Sequence, residues 1–157
     1  MVDVGAKKPT RRIATAGADV VVSPETLRTV ADGAAPKGDV LAAARIAGIL
    51  GGKKTPDLIP LTHPLPLESL GIDLKIDEGI PGIRIEATAA TTARTGVEME
   101  ALTAVSVAAL TVYDMLKSME KGIRITNIRL IHKEGGKSGE YREERREKGE
   151  GRRREKE

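Results

Sequence analysis

LGIDLKI (Leu70–Ile76) and IRIEATAAT (Ile83–Thr91) decide the fold class. Each run alternates apolar and polar residues, the period of a strand with one buried face. A turn around Glu78 to Gly82 joins them. The period then changes. Over Val97 to Lys121, Leu102, Val105, Ala109, Val112, Leu116 and Met119 recur every three or four residues, which predicts a long helix with one apolar stripe. Arg124 to His132, carrying Ile125, Ile128, Leu130 and Ile131, returns to strand. The second half thus reads strand, strand, helix, strand.

The first half adds a strand and two helices. Ile13 to Val22 ends in the β-branched run Val20-Val21-Val22. Ser23-Pro24-Glu25 supplies a cap, a proline at the first helical position and an early carboxylate. That helix runs to about Ala31, and Gly33 stops it. Lys37-Gly38-Asp39 opens a second helix, with Asp39 as cap and Gly51-Gly52 as its end. Thr55 to Pro66 contains four prolines and reads as a rigid extended loop rather than regular structure. Treating the two early helices as one crossover layer gives βαββαβ: α+β, a ferredoxin-like antiparallel sheet with an additional helix. Helices on one face leave the other bare, a reason to expect self-association.

The chain has 157 residues, which fits one domain over 1–139, with 1–12 an extended arm. From Glu140 to Glu157 it carries eight Lys or Arg and seven Glu with no aliphatic side chain, so this tail is expected to be disordered. Phe and Trp are absent, so the core must come from Ala, Ile, Leu and Val. Zero cysteines exclude disulfides and thiolate chemistry. With two histidines, no metal-ligating set stands out. The net charge of +3 is spread along the chain and aromatic stacking platforms are missing, so a nucleic-acid role is not expected. No signal peptide or membrane-length apolar run is read, and the expected location is the cytoplasm.

Four groups of residues could carry chemistry. Lys37-Gly38-Asp39 pairs a cation with a helix N-terminus, which favours phosphate, although capping alone explains the pattern. Arg45, Lys53, Lys54 and His63 surround one helix end and its proline-rich loop; they fit an oligophosphate pocket or ordinary dipole complementation. Glu98, Met99 and Glu100 open the long helix, and Asp114 and Lys117 close it as an i,i+3 pair. The pair is either a surface ion pair or a partly buried one with shifted pKa values. Lys133 to Gly139 places glycines between lysines, a basic clamp or a plain turn; no Walker pattern is present.

Taken together, KGDVLAAARIAGILGGKKTPDLIPLTHPLPL (37–67), TARTGVEMEALTAVSVAALTVYDMLKSMEK (92–121) and RLIHKEGGKSG (129–139) closely resemble the MoaC family. The resemblance covers about residues 2 to 139. It implies a hexamer built as a trimer of dimers, with active sites at a subunit interface. It implies a lyase acting on 3′,8-cyclo-7,8-dihydro-GTP, supplied by a radical SAM GTP cyclase, that forms a cyclic pyranopterin monophosphate and expels pyrophosphate. Lys37 and Lys117 match the family's catalytic lysines, with Asp114 beside Lys117. His63, Glu98, Met99, Glu100, Lys53, Lys133, Lys137 and, more weakly, Arg12 match substrate-binding positions. Thr62 stands where the family usually has Cys, and Asp3-Val4-Gly5 replaces its DVS.

The implied chemistry suits these residues. Lysines and a histidine offset the charge of a triphosphate as pyrophosphate leaves. Lys117 beside Asp114, with Lys37 near it across an interface, serves as acid and base if burial lowers a lysine pKa. No cofactor is required by the sequence, and a role for Mg²⁺ stays open. A non-catalytic pterin or nucleotide carrier is the alternative.

Overall fold

Ser23 does what its position predicts. Its Oγ accepts the Thr26 N–H at 3.2 Å, with Pro24 in the first turn, a cap worth about 1 kcal/mol. In the computed structural model, which describes residues 1–144, this cap separates β1 (Thr10–Val21) from α1 (Pro24–Ala31). Then follow α2 (Val40–Lys53), α3 (Thr55–Leu58), β2 (Leu67–Asp77), β3 (Gly82–Ala93), α4 (Glu98–Leu116), β4 (Arg124–Glu134) and β5 (Tyr141–Arg142). The sheet runs β2-β3-β1-β4-β5, with antiparallel neighbours throughout. Its first four strands have the order of the expected ferredoxin-like plan.

Alternation places Ala14, Ala16, Ala18 and Val20 of β1 beside Ile83, Ile85, Ala87 and Ala89 of β3, all buried beneath the helices. Val105, Val112 and Leu116 of α4 close this core, with the ring of Tyr113 packed at its margin. By length and composition α4 could cross a membrane. Its apolar side chains instead pack on β1, β3, β4 and α2, so its hydropathy is that of a core helix. The opposite sheet face is polar: Thr15 and Thr88 hydrogen-bond across it at 2.8 Å, among Arg84, Glu86 and Asp73.

Several expectations need correction. Gly51-Gly52 does not end α2, which continues to Lys53. These glycines are contact points: a Cβ on Gly51 would lie 2.6 Å from Val107, and one on Gly52 2.5 Å from Leu70. The proline-rich segment begins with the one-turn α3, because Pro56 occupies a position where a helix needs no N–H donor. The long helix stops at Leu116, not Lys121, and Glu120 turns back to accept the Ser23 N–H at 3.0 Å. The arm is shorter than expected, since β1 already begins at Thr10. The charged tail is not wholly without structure, as Tyr141–Arg142 pair with β4. The rest of the expected disordered tail, 145–157, lies outside the described residues.

Candidate active site

Two register shifts between β1 and β4 set one half of the site. Strict alternation would send Ile131 and Lys133 to the same face as Ile125. Ile131 instead lies against Gly17 on the polar face, and the second shift returns Lys133, opposite Ala14, to the helix side, the face of Ile125. There its Nζ donates to the Glu98 carboxylate in a half-buried ion pair at the start of α4. A carboxylate in a helix first turn also meets the favourable end of the dipole.

Arg12 adds a second cation. Its Nε donates to the Ala93 carbonyl at 3.1 Å, and Gly136 lies so close that a Cβ there would meet the guanidinium at 2.3 Å. Gly136 has φ +78, so the turn needs glycine for both space and conformation. Arg12, Lys137, Lys7 and Lys8 line one surface cavity of about 700 Å³. A second, of about 380 Å³, is lined by His63, Glu98, Met99, Glu100 and again Lys7. His63 Nε2 is 2.8 Å from the Val2 carbonyl, which ties the loop to the N-terminal arm. Thr62, where the family usually has Cys, donates its hydroxyl to the Ile59 carbonyl at 2.9 Å and steadies the same loop. Lys53 ends α2 on this side of the helix layer, next to the Gly52 that packs on the Glu100 backbone.

The two glutamates differ. Burial pushes Glu98 upward, but the Lys133 hydrogen bond, the local backbone N–H and the charges of Lys133 and Arg12 outweigh it, leaving Glu98 below the ordinary carboxylate range. Burial also pushes Glu100 upward; its own N–H opposes this, the Glu98 charge reinforces it, and the net shift is up. Glu100 is only 3% exposed, and among the described residues no cation pairs with it.

The second half lies at the other end of α4. Asp114 accepts from Lys37 at 3.1 Å and from Lys117 at 2.9 Å. Lys37 also donates to the Asp114 backbone carbonyl at 3.1 Å. Its loop is set by Gly38, at φ +106, and by Asp39 capping α2 through the Ala42 N–H at 3.0 Å. One expectation is corrected here: Lys37 meets Asp114 within one chain, because antiparallel packing of α2 on α4 brings the start of one to the end of the other. Of the two readings of the Asp114–Lys117 pair, the chain shows the surface one: the Lys117 and Asp114 side chains are 57% and 55% exposed. Hydrogen bonds from Lys117 and then Lys37 hold Asp114 below its usual range, and Asp114 in turn raises Lys117. In the single chain the lysine shift is therefore upward, opposite to what a neutral base requires.

The family profile of MoaC matches residues 1–136. Curated relatives named cyclic pyranopterin monophosphate synthase include one from Dinoroseobacter shibae, 58% identical over 92% of this chain and 91% of its own. One from Pelobacter propionicus is 55% identical over 92% and 90%, and one from a Nostoc species 56% over 90% and 84%. This chain belongs to the MoaC family.

The MoaC domain therefore groups Arg12, His63, Glu98, Met99, Glu100, Lys133 and Lys137 at one end and Lys37, Asp114 and Lys117 at the other. Sixteen residues of helix separate Glu98 from Asp114, about 24 Å. Lys7 and Lys8 of the arm join the cavities because the arm folds beside the 133–139 loop. His132, Glu134 and Glu140 bring ligand atoms within 4.8 Å of one another. Arg142 already contacts Glu140 at 2.9 Å, so that group is a surface ion-pair network.

Proposed function

We propose that this chain is a cyclic pyranopterin monophosphate synthase of molybdenum cofactor biosynthesis. It converts 3′,8-cyclo-7,8-dihydro-GTP to the cyclic phosphate and releases pyrophosphate. The observation that carries the reading is the division of the motif residues into two charged clusters of complementary chemistry. One offers cations and a histidine beside a carboxylate pair, suited to an anionic heterocycle. The other offers two lysines on one aspartate, suited to the leaving pyrophosphate and, once a second copy removes their solvent, to proton transfer.

One small molecule cannot touch both clusters of a single chain. A second copy resolves this. The outward face of the helix layer exposes Ile46, Leu50 and Leu110 at 60%, 54% and 60%. Leu110 lies between the two clusters along α4. A two-fold axis near it would bring the Lys117 end of one subunit to the Glu98 end of the other, and would cover the apolar face. Repeated, this yields the dimer unit of the hexamer that the family resemblance implies. The reading assigns no redox cofactor, a cytoplasmic setting, and a radical SAM GTP cyclase as the source of substrate.

The test is incubation of purified protein with the cyclo-GTP intermediate. Pyrophosphate and cyclic product are expected; tight binding without either would make the protein a carrier. Mixing Lys117→Arg with Glu98→Gln subunits should restore activity that neither has alone. Absence of recovery in mixed oligomers would count against a shared site.

A further inference from the structure

We propose that Glu100 is a catalytic general acid, giving its carboxyl proton to the substrate heterocycle while Glu98, clamped by Lys133, positions that ring. This rests on the lyase reading above and assigns a proton donor at the end of α4 opposite the Lys37 and Lys117 of the same chain. The geometry comes first. Glu98 and Glu100 are two residues apart in the first turn of α4, and both line the cavity that His63 and Met99 share. One is tied to a cation, and the other is buried beside the cavity without one. Two carboxyl groups in one cavity whose surroundings push their pKa values apart divide the roles of acid and anion between them. The charged and titratable groups around Glu100 are Glu98 on its own helix, His63 on the loop after α3, and Lys7 on the arm. Lys53 at the end of α2, and Lys133 and Arg12 behind Glu98, complete the set. The ion pair with Lys133 takes up the charge of Glu98, and burial shifts Glu100 toward its protonated form.

The step balances. A ring C–N bond breaks with its electron pair remaining on nitrogen, and the Glu100 O–H proton goes to that nitrogen, while the lone pair of a second nitrogen on the same carbon forms a C=N⁺ bond. Glu100 is left as carboxylate. Reclosure, in which an N–H adds to the C=N⁺ carbon, sends that π pair back to its nitrogen and gives the N–H proton to Glu100, so no oxidant or reductant is consumed.

The test uses the assembled protein and the Glu100→Gln variant, which preserves shape but has no proton to transfer. Turnover should fall by about 10²-fold or more, the scale of general acid catalysis, with KM within a few-fold of wild type. Carboxyl ¹³C NMR of glutamate-labelled protein, assigned by the signal missing in Glu100→Gln, should show Glu100 titrating above Glu98. A kcat within tenfold of wild type, or Glu100 titrating at or below the ordinary carboxylate value, overturns the assignment. If Glu100→Gln does not assemble, Glu100→Asp decides. Its kcat must keep a fall at alkaline pH but at a shifted position, and a limb left where wild type has it overturns the proposal. Wild-type protein that makes no pyrophosphate refutes the lyase reading instead, and the NMR order of the two glutamates is read independently of that result.

Discussion

Gly48→Ala should loosen the α2–α4 contact and with it the Lys37–Asp114 pairing. Two effects compete. Alanine in a helix interior is favoured over glycine by about 0.8–1.0 kcal/mol. Against this, the new Cβ would lie 2.3 Å from Ile72 Cδ1, 2.8 Å from the Ala104 carbonyl oxygen and 3.0 Å from Ala108 Cβ. The Ile72 methyl can rotate away, but the Ala104 carbonyl is helix backbone and can yield only if α2 moves. Overpacking of this kind costs about 1–3 kcal/mol, so the clash wins, with a net loss of about 1 kcal/mol. For a chain of this size that lowers the melting temperature by about 2–4 °C. Gly71→Ala is the control, since its Cβ would meet nothing within 4 Å; it should melt at or slightly above wild type. Circular dichroism melts of the three proteins decide the matter. Gly48→Ala melting at or above wild type would show that propensity outweighs packing here, and that the helices are not held at glycine distance.

Lys117→Arg should assemble and bind substrate but lose most of its turnover, because guanidinium keeps its proton; near-normal turnover in a pyrophosphate-release assay would reduce Lys117 to a charge contact. Ending the chain after Glu144 should leave melting unchanged. Ending it after Gly139 should cost about 1 kcal/mol, because it removes β5 and the Glu143 carboxylate that Arg129 holds at 2.9 Å; equal melts for both truncations would refute this. Because the Glu100 carboxyl is shifted up in the fold, the folded state binds more protons than the unfolded state between the ordinary and raised values, and stability falls as pH rises through that window. Denaturant titrations across pH should show Glu100→Gln lacking that slope and at least as stable as wild type at pH 7; a clear loss of stability there would mean the ionised form is the one the fold favours.

What could be read from the sequence was what depends on local chemistry. Alternation over 83–91 gave the inward face of β3, and Ser23-Pro24 and Asp39 gave two helix starts, because a cap acts within three residues. What escaped depends on contacts between distant segments. Gly51-Gly52 resembles a helix stop, and only the proximity of Val107 and Leu70 explains why the helix continues through it. The polar face that Ile131 occupies is set by two register shifts against β1, which alternation within β4 cannot signal. Tyr141-Arg142 sits in a charge run that could not order itself, yet β4 offers it an open edge. The site residues were found through the motif resemblance. Their division between the two ends of α4 follows from helix length, but the meeting of Lys37 with Asp114 does not, because it depends on how α2 packs on α4.

The two ends of α4 also differ in how far one subunit prepares them. At the Glu98 end the electrostatics are already set within the chain: one carboxylate is paired with Lys133, its neighbour is buried, and the cavity lies against both. At the Asp114 end they are set against proton transfer, since two exposed lysines share one aspartate and Lys117 is raised by it. A lysine must lose solvent to lower its pKa, and in this chain the surface that could remove solvent from Lys117 is one that covers the outer face of the helix layer. The exposed Leu110 shares that face, two turns from Lys117. In the proposed dimer, covering the apolar face and tuning the lysine would be one event, and acid–base chemistry at this end would be a property of the assembled protein. The consequence is measurable. A Leu110→Glu chain that stays monomeric should keep the Glu98–Lys133 pair and the raised Glu100, yet show Lys117 titrating above an ordinary lysine. In the assembled protein Lys117 should titrate lower. Identical Lys117 titration in monomer and oligomer would separate assembly from catalysis and leave the lysine pair a phosphate contact.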